Sequence, residues 1–322
     1  MTRASGPSPV VRGRVRVQGS HHDYVSDFPV REGANARQLA SGLAWPEGPT
    51  VLDDGRIVFV ETYRSHLAVY VPGRGVERFA FTGGGPNATA LGLREEIYVT
   101  QNGGVVGPWR AEERRPPSIQ RVEPSGSIDV LVTEVAGIAL QAPNDLAFGP
   151  DGRLYFTDPG RYDPAGKPDP GRVFAVAPGG AGEVLEDGPP SYPNGIVVEP
   201  GGGVVWVESY TGAVKRWRQG RFEQIASITA RNAVLDGLAV AEDGSLYITG
   251  GAAGGLYVLG PGGSEVQFLE VGANPTNCAF DRNMLYITDG GHSGESETPE
   301  FAGALWSLQV GQSGMQAFRG SL

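Results

Sequence analysis

Apolar residues in this chain come in short runs separated by turn signals, almost from end to end. Residues 56–60 (RIVFV), 96–100 (EIYVT), 153–157 (RLYFT), 204–207 (VVWV), 245–249 (SLYIT) and 284–288 (MLYIT) are rich in β-branched and aromatic side chains. Asp-Gly or Gly-Gly often precedes them, so each reads as the second strand of a hairpin. No long stretch carries a 3.6-residue apolar period, so the pattern predicts strands and no substantial helix.

The first strands of these hairpins are equally regular: 45–51 (WPEGPTV), 86–91 (PNATAL), 143–148 (PNDLAF), 193–198 (PNGIVV), 235–240 (LDGLAV) and 275–280 (PTNCAF). Alignment puts Glu47, Asn87, Asn144, Asn194, Asp236 and Thr276 in register, at intervals of 40, 57, 50, 42 and 40 residues. The two long intervals hold Gly- and Pro-rich loops, 102–117 and 158–170. Fourteen residues after the aligned position stand Glu61, Gln101, Asp158, Glu208 and Gly250, and in the last unit Asp289 follows after 13. Each unit continues into two further strands, such as 67–71 and 76–79.

Four-stranded units of this length are β-propeller blades. One blade cannot bury both of its faces, whereas six arranged radially can. The expected fold is all-β, a six-bladed propeller of four-stranded blades around a central channel, with residues 36–322 as one domain. Residues 36–39 (ARQL) precede the first hairpin as 183–186 (EVLE) precede Pro193, so they are expected to close the last blade. Residues 1–35 form an N-terminal extension with little core-forming content, a tail or an added edge strand.

Composition explains the turns and removes several function classes. Among 322 residues, 50 are Gly and 25 Pro, while 40% are hydrophobic. Tight turns between many short strands account for the glycine, and the apolar share supports a large core. A net charge of -10 argues against the cationic surface that nucleic acid needs. Arg12, Arg14 and Arg16 form the one basic cluster and read as a solvated strand face or tail. The single cysteine, Cys278, cannot form an intramolecular disulfide and sits in an apolar strand as a small buried hydrophobe. There is no signal-peptide core at the N-terminus and no apolar run long enough to span a membrane. The expectation is a cytoplasmic protein, a monomer or small homo-oligomer, that takes a small-molecule substrate and contacts neither nucleic acid nor membrane.

In a propeller the first strand of each blade lines the channel, so the aligned residues form a ring. All six bear oxygen, and none is apolar, Cys or His. Carboxylates and amide carbonyls suit a hard divalent cation, Ca²⁺ first, with Mg²⁺, Mn²⁺ or Zn²⁺ as alternatives. Asn, Asp and Gly also begin strands simply as turn residues, but that does not account for six oxygen donors in strict register.

The motifs WPEGP at 45–49, PNDLAFGPDGRLYFTDP at 143–159, YPNG at 192–195 and LDGLA at 235–239 resemble the senescence marker protein 30, gluconolactonase and luciferin-regenerating enzyme family. The resemblance spans roughly residues 36–310. It implies a six-bladed propeller with a divalent cation in the channel, often Ca²⁺, and hydrolysis of sugar lactones in many members. It implies metal binding by Glu47, Asn194 and Asp236, and a role for Asn144 as ligand or substrate contact. The loops at 102–110 and 160–167 depart from the better-known sugar lactonases, which puts substrate identity in doubt.

A cation so held can polarise a carbonyl and activate water, the two needs of lactone hydrolysis. Asp236 is the candidate general base, with a purely ligating role as the alternative. Asn87, Asn102, Asn144, Arg161 and His292 are candidate substrate contacts, with Tyr162 beside Arg161 at the channel mouth. Gln101 and Asp145 are candidate pocket or supporting residues. Nothing resembles a serine-hydrolase elbow or a nucleotide loop. Competing readings are another cation-dependent reaction on the same scaffold (phosphotriesterase, lyase or isomerase) and a non-catalytic propeller stabilised by Ca²⁺.

Overall fold

The computed structural model describes residues 11–16, 24–28, 30–32, 36–263, 266–291 and 301–322. Its strands form six antiparallel blades around one channel, and the only helices among these residues are four three-residue 3₁₀ turns. The innermost strands, in blade order, are Pro46–Val51, Pro86–Leu91, Leu146–Phe148, Pro193–Val198, Leu238–Val240 and Pro275–Asp281. The all-β six-bladed expectation is correct.

The two-residue period of a strand explains why six blades are needed. In blade one, Ile57 and Phe59 pack into a cluster shared with Leu305 of blade six, while Val58 and Val60 pack against Leu91, Ile97 and Val99 of blade two. In blade four, Val204 and Trp206 meet blade three, while Val205 and Val207 meet blade five. Six such clusters fill the six blade interfaces. The core is therefore a ring of wedges, and the channel at its centre is left for polar residues.

Ring closure follows the predicted route. Ala36–Leu43 pairs antiparallel with Gly303–Gln309 as the outer strand of blade six. Further upstream, Val11–Arg16 and Tyr24–Phe28 form a hairpin on the outer edge of blade four. Val30–Glu32 runs parallel to Val266–Glu270 at the edge of blade five.

The C-terminal segment crosses the far end of the channel. Met315 N donates to Val240 O in blade five (3.0 Å), Phe318 bridges to Phe148 in blade three, and Leu322 N donates to the Tyr98 hydroxyl in blade two (3.0 Å). Arg319 pairs with Asp53 of blade one.

Candidate active site

The ring residues stand where the innermost strands begin, and two repeated devices hold them there. The first uses the position 14 residues on. Glu61 accepts from Ala44 N (2.8 Å), Gln101 from Gly85 N (2.5 Å), and Asp158 from Gln141 N and Ala142 N (2.8 and 2.7 Å). Asp289 accepts from Ala273 N and Asn274 N (2.9 and 2.8 Å). Every one of these N–H groups lies two or three residues before a ring residue. The side chains thus satisfy the backbone of the loop that delivers the ring, which would otherwise be buried without partners.

The second device is a buried hydroxyl. Thr100 donates to Asn144 O (2.5 Å), Thr157 to Asn194 O (2.7 Å) and Thr249 to Thr276 O (2.8 Å). Each ties the second strand of one blade to the ring residue of the next.

The near end of the channel opens into a cavity of about 840 Å³ whose polar lining includes Glu47, Asn87, Asn144, Asn194 and Asp236. Five of the six predicted ring residues therefore converge. Thr276 does not: its hydroxyl donates to Pro46 O (2.7 Å) and stitches blade six to blade one. Arg161 and Tyr162 line the mouth, although the Arg161 guanidinium is paired with Asp169 (3.1 Å). Asn102, expected to meet substrate, is instead spent on the protein, because its Oδ1 accepts from Gly104 N (2.9 Å) within a buried loop. His292 lies outside the described residues.

Glu47 is 3% exposed, whereas Asp236 opens partly onto the cavity. Burial raises the Glu47 pKa well above the usual carboxylate range, and the charges of Asp236 and Asp145 raise it further, against opposing bonds from Gly48 N–H and Asn277. Burial pushes Asp236 up to about 8, with an Asn194 bond opposing and the Asp145 charge adding. Asp145 is raised to about 6 by burial, against donors from Leu146, Ile196 and Asn277. No basic side chain acts on any of the three. Asn194 donates through Nδ2 to Ser209 (3.0 Å), and its side chain also bonds Asp236.

Two buried carboxylates that repel one another, with amide side chains beside them and no cationic side chain, fit a bound divalent cation. Glu47, Asn144, Asn194 and Asp236 are the donors so grouped. Among the described residues no cluster of three or more His, Cys, Asp or Glu is placed to hold a metal, so the set depends on its amides.

Residues 45–291 match the SMP-30/gluconolactonase/LRE-like family. The chain belongs to that family. A gluconolactonase of Zymomonas mobilis is 26% identical over 75% of this chain and 74% of its own length. Among solved structures, a gluconolactonase from Xanthomonas campestris aligns with a TM-score of 0.66 at 19% identity, covering 96% of this chain and 99% of that one. A calcium-binding protein, regucalcin, from Agrobacterium tumefaciens aligns with a TM-score of 0.70 at 17% identity, covering 91% and 98%. At these identities the structural matches establish the shared propeller.

Apart from Tyr162, sequence reasoning missed the aromatic walls of this SMP-30/gluconolactonase-like pocket. Trp45, Tyr63 and Trp109 stack on one side, with ring centroids 5.4 and 4.9 Å apart. Tyr192, Tyr162 and Tyr210 cluster on the other, with Tyr192 lying 5.2 and 5.0 Å from its two neighbours. A signal was present: Trp45 and Tyr192 both stand two residues before a ring residue, and Tyr63 and Tyr210 both stand 16 after it.

Proposed function

We propose that the protein is a divalent-cation-dependent hydrolase that opens a lactone or similar cyclic ester. The observation that carries this reading is the unpaired carboxylate couple of Glu47 and Asp236 at the floor of an accessible cavity, beside Asn144 and Asn194. Family membership supports it, as does the gluconolactonase of Zymomonas mobilis among the relatives. The regucalcin of Agrobacterium tumefaciens, described as calcium-binding, supports Ca²⁺ as the ion.

When bound, the cation supplies polarisation of the ester carbonyl and a lowered pKa for water. Glu47, Asn144, Asn194 and Asp236 would hold it. The chain's own part is to orient and to move a proton. Asp236, on the cavity side of the pair, takes the proton of the attacking water as the new C–O bond forms. The ring C–O bond then breaks, and the departing alkoxide receives that proton to give the open hydroxy acid. Asn87 is held toward the cavity floor by the bond from its Nδ2 to Asn144 O (3.1 Å).

The test is to measure Ca²⁺ binding by calorimetry and lactone hydrolysis by proton release in Asp236→Asn and Glu47→Gln. Both variants are expected to bind Ca²⁺ more weakly and to lose on the order of 10²-fold or more in rate. Unchanged hydrolysis and unchanged Ca²⁺ binding in both would overturn the proposal.

A further inference from the structure

Blades one and four lie opposite each other in a ring of six, and they carry the same aromatic device at the same positions. In blade one, Thr62 N donates to Trp45 O (3.1 Å) and Tyr63 N to Ala44 O (3.2 Å). In blade four, Ser209 N donates to Tyr192 O (3.0 Å) and Tyr210 N to Ser191 O (3.1 Å). The two pairs of bonds join equivalent positions. Trp45 and Tyr192 are both held in the left-handed backbone region, at φ 56° and 57°, and each precedes a proline. A bulky residue at positive φ is a true outlier, and such strain concentrates at ligand sites. Two long loops then add a third ring to each pair, Trp109 over Tyr63 and Tyr162 beside Tyr192 and Tyr210.

Several polar groups around these walls are already bonded within the protein. Arg110 is bonded to the carbonyls of Gly107 and Trp109, and Arg161 to Asp169. Asp163 Oδ1 accepts from Ala165 N and Gly166 N of its own turn (3.2 and 2.8 Å). A polyhydroxylated substrate needs a perimeter of free donors and acceptors. The walls offer mainly aromatic faces and the side chains of Val105, Val106 and Pro108.

We propose that the pocket selects a lactone carrying or fused to a flat apolar ring, received between the aromatic groups of blades one and four, over a polyhydroxylated sugar lactone. The chemistry rests on the lactone-hydrolase reading, whereas the recognition does not. Aromatic stacking and exclusion of water supply the selectivity.

The experiment compares two six-membered lactones, dihydrocoumarin and glucono-δ-lactone, with Ca²⁺ present. The expected kcat/KM is higher for dihydrocoumarin by about tenfold or more. Trp109→Ala is expected to lower that ratio about tenfold, chiefly through KM, with recovery in Trp109→Phe. In parallel, tryptophan fluorescence follows binding of 3,4-dihydro-2-quinolinone, the lactam analogue that is not hydrolysed. Equal or better use of glucono-δ-lactone, with a ratio insensitive to Trp109→Ala, overturns the selectivity and leaves the hydrolase standing. Saturable lactam binding that weakens in Trp109→Ala, with neither lactone hydrolysed, supports the recognition and overturns the hydrolase. Absence of both hydrolysis and lactam binding overturns both.

Discussion

Asp145 of blade three and Asn277 of blade six meet across the channel axis, Oδ2 to Nδ2 at 3.3 Å. They occupy the position just after the ring residue, where the other four blades carry Gly48, Ala88, Gly195 and Gly237. Four small residues leave the axis open, and two polar side chains from opposite blades fill it. This contact separates two cavities that share no lining residue, one above with Glu47 and Asp236, the other below against the C-terminal segment.

Asn277 serves several partners from that position. It donates to Asp145, contacts Glu47, and accepts from Cys278 N (2.8 Å). Asn277→Ala strips a side-chain donor from two buried carboxylates. The expected loss of stability is about 1–3 kcal/mol, read by urea denaturation. An unchanged midpoint would show that backbone donors alone satisfy the floor of the site.

Gly48 has a steric role at the same level. It sits at φ 51°, and a Cβ there would lie 2.2 Å from Ala88 Cα in the next blade. Gly55 has an equally left-handed φ of 82° but open space around it. Gly48→Ala is expected to cost about 2–4 kcal/mol, clearly more than Gly55→Ala, whose cost is backbone strain alone. Thermal unfolding of the two variants side by side separates crowding from strain, and equal costs would contradict the close approach.

The raised carboxylates set the pH dependence of the metal-free protein. Asp145 titrates at about 6 and Asp236 at about 8 in the folded state, against ordinary values near 4 once unfolded. Between those limits the folded state holds protons that the unfolded state has released, so stability falls as pH rises. The penalty begins near the unfolded value and is complete above the folded one. After treatment with a chelator, the melting temperature is expected to be higher at pH 6 than at pH 8.5. Saturating Ca²⁺ should shrink the difference, since a cation replaces the protons. A metal-free protein more stable at pH 8.5 would contradict the carboxylate assignment.

Blade number, blade boundaries and the closing strand were legible because a propeller repeats its turns, and the turns carry Gly, Pro and Asp at fixed places. Glu47, Asn87, Asn144, Asn194 and Asp236 were legible because one register drives all of them to the channel. Thr276 shares that register yet fails to reach the cavity, since a hydroxyl on a short stem finds Pro46 O first. Asn102 was misjudged because proximity in sequence to a strand end does not reveal an Asx turn onto Gly104. The regular spacing of Glu61, Gln101, Asp158 and Asp289 was visible, but their task of holding the ring's approach loops was not. That task depends on which N–H groups burial leaves unpartnered.

The C-terminal segment laid across blades five, three, two and one gives the channel a blind end. Beneath the ring, the Asp145–Asn277 contact and this segment stand between the site and the opposite face. Among the described residues, the site then has one doorway, bounded by the loops that carry Trp109 and Tyr162. Whatever slows the departure of a product through it also holds back the next molecule. Turnover in such a cul-de-sac is governed as much by the doorway loops as by the carboxylates at its floor.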